Sequence, residues 1–580
     1  LATSFNHTIL PLDPEEDKEI QVFWGIRVFE KFFGKKPTGF WLPELAVDRE
    51  TVDILIKYGI KYSILAPHQA KVKENFFRYY TEKGHIDFFI YDEELSHGVA
   101  FGDLLSDAQA LLEKLKKRKE LTLIATDGET FGHHKKFGEM GLAYMFINSS
   151  EFTTLEAFYK EHNPKLSGDI NWNTSWSCPH GVERWRSDCG CSSGGLPGWH
   201  QKWRKPLREG LEVVRSRVKE IALNELERYF FEPEVAVLHF IDVILGSSKE
   251  EYLRNHAKRE LSGEERTKVF SLLNALKYTQ LSFSSDGWFF AELSGIETVN
   301  NILFAKRAME LVGDTSIEKA FFRYLEEAPS NVQTYGNGLG VWKKLVLPQV
   351  YEKKFIAGCV LLLHLSDLVE EEGSWGKWKF EIAKQDTFKI GLLDKETDES
   401  FLLEEDLKDF DMSQLPSLCC KKLLEKWSMD YVEAELEFFK DYERLLEDLI
   451  LHSKGLRLDM ADYMRKKLEL SLKLKLIKSF LKGEEFEKIK EVFSKAGELS
   501  VDIVDEHISR LFNQYIKKNI PSISEAELIE LLEFVKEYNR NVSKYHLMID
   551  FWEIQNWVWE RKETIKDRKV FDLLNLEAVV

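Results

Sequence analysis

Two carboxylates, two glycines and two histidines lie within eight residues, at positions 127–134 of this chain, in the sequence DGETFGHH. This stretch is unsuited to a helix or a strand, but carboxylates and imidazoles can donate and accept protons in catalysis. The five residues before it, 121–125 (LTLIA), are apolar and favour a buried strand. We therefore predict a β-strand over residues 121–125 and a chemically active loop directly after it.

Two earlier apolar runs end in the same way. The sequence GFWLPE ends in Glu44, and the sequence YSILAPH ends in His68. Helical patterns at 51–58 and 103–117 lie between the runs, and this alternation is typical of parallel βαβ units. In a barrel of such units the active site gathers at the carboxyl ends of the strands. We therefore expect Glu44, His68 and Asp127 to lie on one rim.

Acidic residues after a strand can also serve only as caps. Thr126 and Glu129 fit the capping-box pattern Ser/Thr-x-x-Glu, which is common at helix starts, so a capping role stays open for Glu129. For Glu44 and Asp127 the position at a strand end favours a role in a site.

Five motifs in the first half of the chain resemble those of glycoside hydrolase family 57. Residues 40–44 (FWLPE) resemble the nucleophile motif of that family, and residues 126–133 (TDGETFGH) resemble its acid/base motif. Residues 6–12 (NHTILPL) are similar to the preceding motif, and the residues around 175–185 resemble the fifth. Residues 285–290 (SDGWFF) are similar to a helical-domain motif of branching-enzyme-like members, with one residue inserted.

The resemblance implies an α/β fold, a (β/α)7-type barrel followed by α-helical domains with a small β-rich region. It implies a retaining glycoside hydrolase or transglycosylase that acts on α-glucans, with Glu44 as the nucleophile and Asp127 as the general acid/base. Such an enzyme needs no cofactor and no metal. The residues that we expect to bind the substrate are His7, Trp41, His68, Glu129, His133, Trp176, His180, Trp185, Asp286 and Trp288.

The chain departs from the family pattern at two places. The first family motif, a His-x-Gln-Pro near the start of the barrel, is absent, and the sequence begins at Leu1. We therefore expect the barrel to be N-terminally incomplete in this chain. His134 stands where amylolytic members often have an aromatic residue.

Five tryptophans and five glycines lie between Trp172 and Trp203, where helical periodicity is absent. Indole faces stack on sugars, so this loop is expected to line the same cleft as Glu44 and Asp127, although tryptophans more often serve burial. The stretch also holds Cys178, His180, Cys189 and Cys191, which are possible zinc ligands. The favoured interpretation is that these thiols are buried and inert, because structural zinc pairs usually have two to four intervening residues.

Composition limits the partners. The net charge of −18 argues against nucleic acid, since phosphate backbones attract basic surfaces. A neutral α-glucan or another oligosaccharide remains compatible with it. Six cysteines in 580 residues make no disulfide framework, and neither a signal peptide nor an apolar membrane span is evident, so we expect a cytoplasmic protein without a membrane partner.

At 580 residues the chain predicts several domains. We divide it into a barrel domain at 1–210, a helical domain at 211–348, a small β-rich region at 349–410 and a C-terminal helical domain at 411–580. The pattern also predicts a helix over residues 15–33. The lysine-rich and leucine-rich stretch at 467–481 is interpreted as a helix packed on a bundle, with a membrane-surface helix as the less favoured alternative.

Two other function classes remain open. A metal-dependent carbohydrate deacetylase on a related barrel would need a metal at Asp127, but the adjacent His133 and His134 cannot easily face one ion. A non-catalytic glycan-binding protein is the third class, because resemblance in fold does not establish activity.

Overall fold

The computed structural model describes residues 1–118, 121–366, 368–384, 388–404, 416, 419, 422, 458–499, 501–541, 548–562, 564–574 and 576. Within these, the chain forms two compact units. The first contains residues 1–357 and 371–409, and the second contains residues 358–370 and 410–580. Each unit is described separately below.

The first unit begins with a five-stranded sheet in the order β1-β2-β3-β5-β4. The pairs β1–β2, β2–β3 and β3–β5 are parallel, whereas β4 and β5 form an antiparallel hairpin. All four residues of β3 are buried, as expected for a parallel strand covered on both faces. The strands are β1 Ala2–Thr3, β2 Gly39–Trp41, β3 Tyr62–Leu65, β4 Phe76–Thr81 and β5 Gly84–Ile90.

Helices lie between the strands of this sheet and after them. The helix α1 spans Glu15–Phe33, which confirms the range predicted from the sequence, and it ends at Gly34 in the left-handed conformation. The helix α2 spans Arg49–Lys57, and the Asp48 side chain caps it by accepting from the Thr51 N–H. The further helices of this region are α3 Glu93–Ala100, α4 Ala108–Lys116, α5 Gly138–Asn148 and α6 Leu155–Glu161.

Two predictions in this region were wrong in detail. Residues 121–125 form no strand, and the predicted helix at 103–117 is divided into a 3-10 turn at Leu104–Ser106 and the helix α4. The apolar run at 121–125 does bury Ala125, and the Asp92 N–H donates to the Leu123 carbonyl. It cannot pair along β5, because β3 and β4 already occupy both edges of that strand.

The closed barrel implied by the family resemblance is not confirmed. In the described residues the first sheet has β1 and β4 at its two edges. The part that the structure does support is an α/β domain followed by a helical region. The turns after β2 and β3, at Pro43–Leu45 and Pro67–Gln69, lie at the same edge of the sheet because the strands run parallel.

Helices dominate the rest of the first unit, and they share a core with the first helix of the chain. Trp24 of α1 is buried in the same cluster as Trp203 and Trp288, and its Nε1 donates to the Leu238 carbonyl at 2.7 Å. The helices are α7 Arg204–Leu226, α8 Pro233–Ile244, α9 Lys249–His256, α10 Gly263–Leu281, α11 Asp286–Phe289, α12 Ile296–Val312, α13 Thr315–Glu327 and α14 Gly338–Val341.

A second, antiparallel sheet completes the first unit, with the order β6-β7-β8-β9. Its strands are β6 Glu372–Trp375, β7 Trp378–Lys384, β8 Phe388–Asp394 and β9 Ser400–Leu403. These strands lie within the β-rich region predicted at 349–410, but the start of that region is helical. Residues Lys353–Leu365 form a helix, α15, because this nearly continuous apolar run is longer than the roughly four to eight residues of a buried strand.

The second unit is helical in its described part, with the helices α16 Leu458–Lys482, α17 Phe486–Glu498, α18 Glu506–Asn519, α19 Glu525–Asn541, α20 Trp552–Glu560 and α21 Arg568–Leu574. Leu468, Leu472 and Leu476 of α16 are buried in the core of this unit. The interpretation of 467–481 as a helix packed on a bundle is therefore confirmed. Within the predicted C-terminal helical domain at 411–580, residues 423–457 lie outside the described residues.

Two further observations concern the chain as a whole. A disulfide joins Cys359 and Cys419. Among the described helices, none combines the length and the apolar character that crossing a membrane requires.

Buried charges link α1 to α7. The Asp13 carboxylate, at the start of α1, accepts from Arg215 Nη1 at 3.2 Å, and both side chains are almost fully buried. We expect Asp13→Ala to lower the free energy of unfolding of the first unit by about 3 kcal/mol, because a buried guanidinium loses its partner. That figure is at the low end for such a loss, since Asp17 and Glu212 remain beside Arg215.

The measurement is differential scanning calorimetry of the full chain, in which the affected transition moves to lower temperature. Asp169→Ala is the matched control, because Asp169 pairs with Lys71 in an exposed ion pair, which typically contributes less than about 1 kcal/mol. Equal shifts in both variants would contradict a stabilising role for the buried pair.

Candidate active site

Glu44 occupies a strained backbone position directly after β2. Its φ of 55° and ψ of 18° lie in the left-handed region, as does the φ of 49° at Leu45. A residue other than glycine pays about 1–3 kcal/mol for such a conformation, and these positions cluster at functional sites. The strained position is the one at which the sequence predicts a site residue.

Two side chains of the tryptophan-rich loop hold the Glu44 carboxylate. Trp176 Nε1 donates to Glu44 Oε2 at 3.0 Å, and Ser177 Oγ donates to the same oxygen at 2.5 Å. The Trp176 N–H also donates to the Glu44 carbonyl at 3.0 Å. Among the described residues no donor reaches the other oxygen, Oε1. The carboxylate is therefore oriented through one oxygen, and the second remains available for a ligand.

The predicted residues Trp41, His68 and Trp176 lie around this carboxylate. The Trp41 and Trp176 rings meet edge to face with centroids 5.4 Å apart, and both are half-buried. His68 Nε2 donates to the Ser175 carbonyl at 3.0 Å, so this histidine binds the backbone of the tryptophan-rich loop. The structure thus joins the ends of β2 and β3 to the tryptophan-rich loop, as the sequence predicts.

The loop that carries Asp127 is tied to the same region. The Ala125 N–H donates to Ser96 Oγ at 3.0 Å, and Ala125 is buried in one apolar cluster with Leu45, against which Trp41 and Trp176 pack. A short 3-10 turn follows at Gly128–Thr130, and no side chain caps it. The capping-box alternative for Glu129 is therefore not supported.

Asp127 is surrounded by charges that alter its titration. Its pKa is raised, first because partial burial disfavours the ionised carboxylate and then because the negative charge of Glu129 lies nearby. Asp286 acts in the same direction, whereas His134 and His7 oppose it. The residue still has a solvent-exposed surface, so water moderates these influences. A carboxyl group with a raised pKa holds its proton to higher pH, as a general acid must.

The N-terminal segment and the helical region meet beside Asp127. His7 has a left-handed backbone with a φ of 52°, and its carbonyl accepts from the Ser285 N–H at 3.1 Å. The next residue along the chain from Ser285 is the predicted site residue Asp286. His7 and Asp286 are therefore neighbours, although 278 residues separate them in the sequence, and both act on the charge of Asp127.

Other predicted substrate-binding residues have different surroundings. Trp185 and Trp288 are completely buried in the helical core, and the Trp288 ring stacks on Phe283 with an interplanar angle of 11°. Neither indole presents a face to a sugar, so we assign both rings to packing. Glu129 and His133 are exposed on the Asp127 loop.

His180 lies in a cluster of possible metal ligands. The ligand atoms of His180 and of three cysteines, Cys178, Cys189 and Cys191, all lie within 4.8 Å of one another. The sequence analysis favoured buried, inert thiols, and the structure brings the three sulfur atoms and the imidazole close together. Among the described residues this is the one grouping of this kind, and it does not include Asp127, His133 or His134.

Sequence reasoning missed Ser177, although its neighbours Ser175 and Trp176 belong to a recognised motif. A serine next to a tryptophan gives no signal of its own, and only the fold shows that its hydroxyl reaches Glu44. A separate cleft of about 1380 Å³ lies between α10, α12 and the second sheet, and none of the predicted site residues lines it.

Comparison with protein-family models gives two matches. Residues 1–169 match "Glycosyl hydrolase family 57", and residues 199–396 match "Domain of unknown function (DUF3536)". The first match confirms the family resemblance deduced from the motifs. A search among curated proteins gives no match to this chain.

Several solved structures are similar at low sequence identity. An exo-type maltose-forming amylase from Pyrococcus sp. ST04 has 13% identity and a TM-score of 0.44, over 63% of this chain and 66% of its own. A family 57 branching enzyme from Thermococcus kodakaraensis has 15% identity and a TM-score of 0.36, over 60% and 70%. A 4-alpha-glucanotransferase from Thermococcus litoralis has 14% identity and a TM-score of 0.32, over 69% and 54%. The chain thus spans slightly less than two thirds of the amylase and about half of the glucanotransferase.

The raised pKa of Asp127 can be tested without an activity assay. Carbodiimide couples to protonated carboxyl groups, and peptide mass spectrometry measures the extent of coupling at Asp127 as a function of pH. We expect Glu129→Gln to move the midpoint of Asp127 labelling to lower pH, because this substitution removes a negative charge that opposes ionisation. Glu161→Gln, at an exposed position of α6, is the control with the same change in net charge and should leave the midpoint unchanged. An unmoved midpoint in Glu129→Gln would show that the two carboxyl groups do not interact.

Proposed function

We propose that this chain, of which residues 1–169 match the model of glycosyl hydrolase family 57, is a retaining glycoside hydrolase or transglycosylase that acts on α-glucans. Glu44 is the nucleophile and Asp127 is the general acid/base. The observation that carries the proposal is the Glu44 carboxylate, which sits on a strained turn at a strand end and is oriented by Trp176 and Ser177.

Glu44 has the features that a nucleophilic carboxylate needs. Trp176 and Ser177 hold Oε2, so Oε1 is presented in a defined direction towards the anomeric carbon of a bound sugar. When Oε1 bonds to that carbon, the glycosidic C–O bond breaks and its electron pair leaves with the departing oxygen. The product of this step is a glycosyl group bound covalently to Glu44.

Asp127 supplies the proton that the departing oxygen requires. Because its pKa is raised, the carboxyl group of Asp127 keeps its proton to a higher pH than an ordinary aspartate, which suits a general acid. In the second step the ionised Asp127 takes a proton from water, or from the hydroxyl of an acceptor sugar, as that oxygen attacks the anomeric carbon and releases Glu44. Water gives hydrolysis, and an acceptor sugar gives transfer.

The aromatic residues beside Glu44 suit a sugar. Trp41 and Trp176 are half-buried and lie next to the carboxylate, so their exposed ring surface can contact the C–H face of a glucose unit. His7 lies on the side of Asp127 and can donate to a sugar hydroxyl, a role that we also assign to His133. Asp286, contributed by the helical region, extends this polar wall.

The alternative functions are less well supported. A metal-dependent deacetylase needs a metal held near Asp127, and the described residues group no further ligands around that carboxylate. A non-catalytic glycan-binding protein would not require strain at Glu44 or two donors on its carboxylate. The division into domains at 1–210, 211–348, 349–410 and 411–580 stays a prediction.

The test is a trapping experiment with a maltosyl fluoride, whose fluoride leaves without a proton. We expect Asp127→Ala to accumulate a maltosyl-enzyme that mass spectrometry locates on Glu44, because only the second step is slowed. On unactivated maltooligosaccharides the same variant should lose about 10²–10⁴-fold in kcat, the usual contribution of a general acid. Glu44→Ala should form no adduct, and Glu161→Gln should behave as the unsubstituted chain.

The position of the label decides the assignment. An adduct on any residue other than Glu44 would refute the proposed nucleophile. Glucan binding with neither turnover nor an adduct would instead favour the non-catalytic alternative. An inverted product configuration would exclude retention, for which the two carboxyl groups must lie about 5–5.5 Å apart.

A further inference from the structure

Three thiols and one imidazole converge between the second and fourth tryptophans of the loop. Cys178 Sγ lies 3.9 Å from Cys189 Sγ and 3.8 Å from Cys191 Sγ, and Cys191 Sγ lies 3.4 Å from His180 Nδ1. All four ligand atoms fall within 4.8 Å of one another. Cys178 is buried, the other two cysteines are half-buried, and His180 is exposed, so an ion could enter from the side of the histidine.

The distances between these sulfur and nitrogen atoms fit ligands arranged tetrahedrally around a zinc ion. With Zn–S bonds of about 2.3 Å and a Zn–N bond of about 2.0–2.1 Å, tetrahedral ligands lie roughly 3.8 Å (S to S) and roughly 3.6 Å (S to N) apart. The three distances given above are close to these values, and the other pairs of ligand atoms lie within 4.8 Å. We propose that Cys178, His180, Cys189 and Cys191 bind one Zn²⁺ in a closed, structural Cys3His site. With four protein ligands the ion keeps no open position for a substrate.

The backbone at the cluster is adapted to bring the ligands together. Gly190, between the two C-terminal cysteines, has a φ of 85°, a conformation that L side chains rarely adopt. It allows Cys189 and Cys191 to direct their sulfurs to the same point although one residue separates them. Gly181, next to His180, has a φ of 84°, and a Cβ there would lie 2.4 Å from the Asn173 carbonyl oxygen. The short ligand spacing that argued against zinc in the sequence is thus achieved through glycine.

A buried arginine next to the cluster provides an independent indication that the cluster carries negative charge. Arg204 is completely buried, and it donates to the Cys191 carbonyl at 2.7 Å and to the Phe290 carbonyl at 3.1 Å. Among the described residues no carboxylate lies within 4.0 Å of Arg204, although the negative charge of Asp188 acts on it from farther away, and the Nε of Arg204 has no acceptor. A buried cation without a counterion is costly. Zn²⁺ with three thiolates carries one net negative charge, which would compensate Arg204.

A disulfide or three free thiols would explain this arrangement less completely than a bound zinc ion. A disulfide requires sulfurs about 2.05 Å apart and would pair only two of the three thiols. Inert thiols need neither convergence on one point nor an imidazole nitrogen, and they leave Arg204 without a close counterion. A four-ligand set of sulfur and nitrogen in a tetrahedron is characteristic of zinc.

The zinc site would also affect the position of Glu44. This part of the inference rests on the function proposed above. Cys178 directly follows Ser177 and Trp176, the two residues that donate to the Glu44 carboxylate. A zinc ion bound to Cys178 would fix the end of this segment and so keep both donors in place. Zinc is thus a positioning element for the nucleophile and takes no part in the chemistry.

The first experiment measures metal in the full-length protein. After purification with added ZnSO₄ and removal of free metal, we expect about one zinc per chain by inductively coupled plasma mass spectrometry. Cys189→Ser combined with Cys191→Ser should lose this zinc, and His180→Gln should weaken its retention. His85→Gln, at an exposed histidine of β5, is the control and should keep the full content. Replacement by Co²⁺ should give the absorption bands of a tetrahedral thiolate site.

The second experiment measures the positioning role without an assay of catalysis. Hydrogen exchange of peptides that cover residues 172–192 should be several-fold slower in the zinc-loaded protein than after removal of zinc by a chelator. A full-length protein that takes up no zinc, or a double cysteine variant that retains it while folded, would overturn the site. Equal exchange with and without zinc would overturn the positioning role. Bound zinc in a protein without glycosidase activity would refute the proposed function but not the metal site.

Discussion

The candidate site depends on the two hydrogen bonds that Trp176 and Ser177 donate to the Glu44 carboxylate. They join a strained turn at the end of a strand to a loop more than 130 residues later in the chain. The Trp176 N–H adds a backbone bond to Glu44 itself, so the loop fixes both the main chain and the side chain of that residue. Backbone strain at Glu44 can persist only because the surroundings overdetermine the position, and these contacts do so.

The site also depends on cooperation between the two regions that match family models. The Ser285 N–H donates to the His7 carbonyl, and this contact places Asp286 near the charges that act on Asp127. Behind it, Trp24 of α1 shares one apolar core with the helices of the DUF3536 region. A core of this kind cannot be divided without exposing large aromatic surfaces to water. The region of unknown function is therefore part of the architecture that shapes the site.

The sequence predicted what depends on local pattern and missed what depends on partners. The helix at Glu15–Phe33 and the strands before Glu44 and His68 follow from periodicity and from turn residues, and they were predicted well. The run at 121–125 has the composition of a strand, but a strand needs a free neighbouring edge, and β5 has none. Likewise, a tryptophan is apolar wherever it occurs, so its residue type alone could not separate the half-buried Trp176 from the fully buried Trp288.

The tryptophan-rich loop at 172–203 needs contacts with the rest of the chain to hold it in one conformation. A long segment with only one short 3-10 turn has few backbone bonds of its own, and ordering each residue costs about 1–2 kcal/mol of conformational entropy. Its start is fastened to the turns after β2 and β3, where the Asn173 N–H donates to the Val47 carbonyl and the Asn171 N–H to the Gln69 carbonyl. Its end is fastened by Trp203, which is buried in the helical core. Between these anchors the ligand atoms of Cys178, His180, Cys189 and Cys191 lie within 4.8 Å of one another. The Zn²⁺ that we propose there would cross-link the loop to itself directly after Trp176 and Ser177, and so would stabilise the two donors to Glu44.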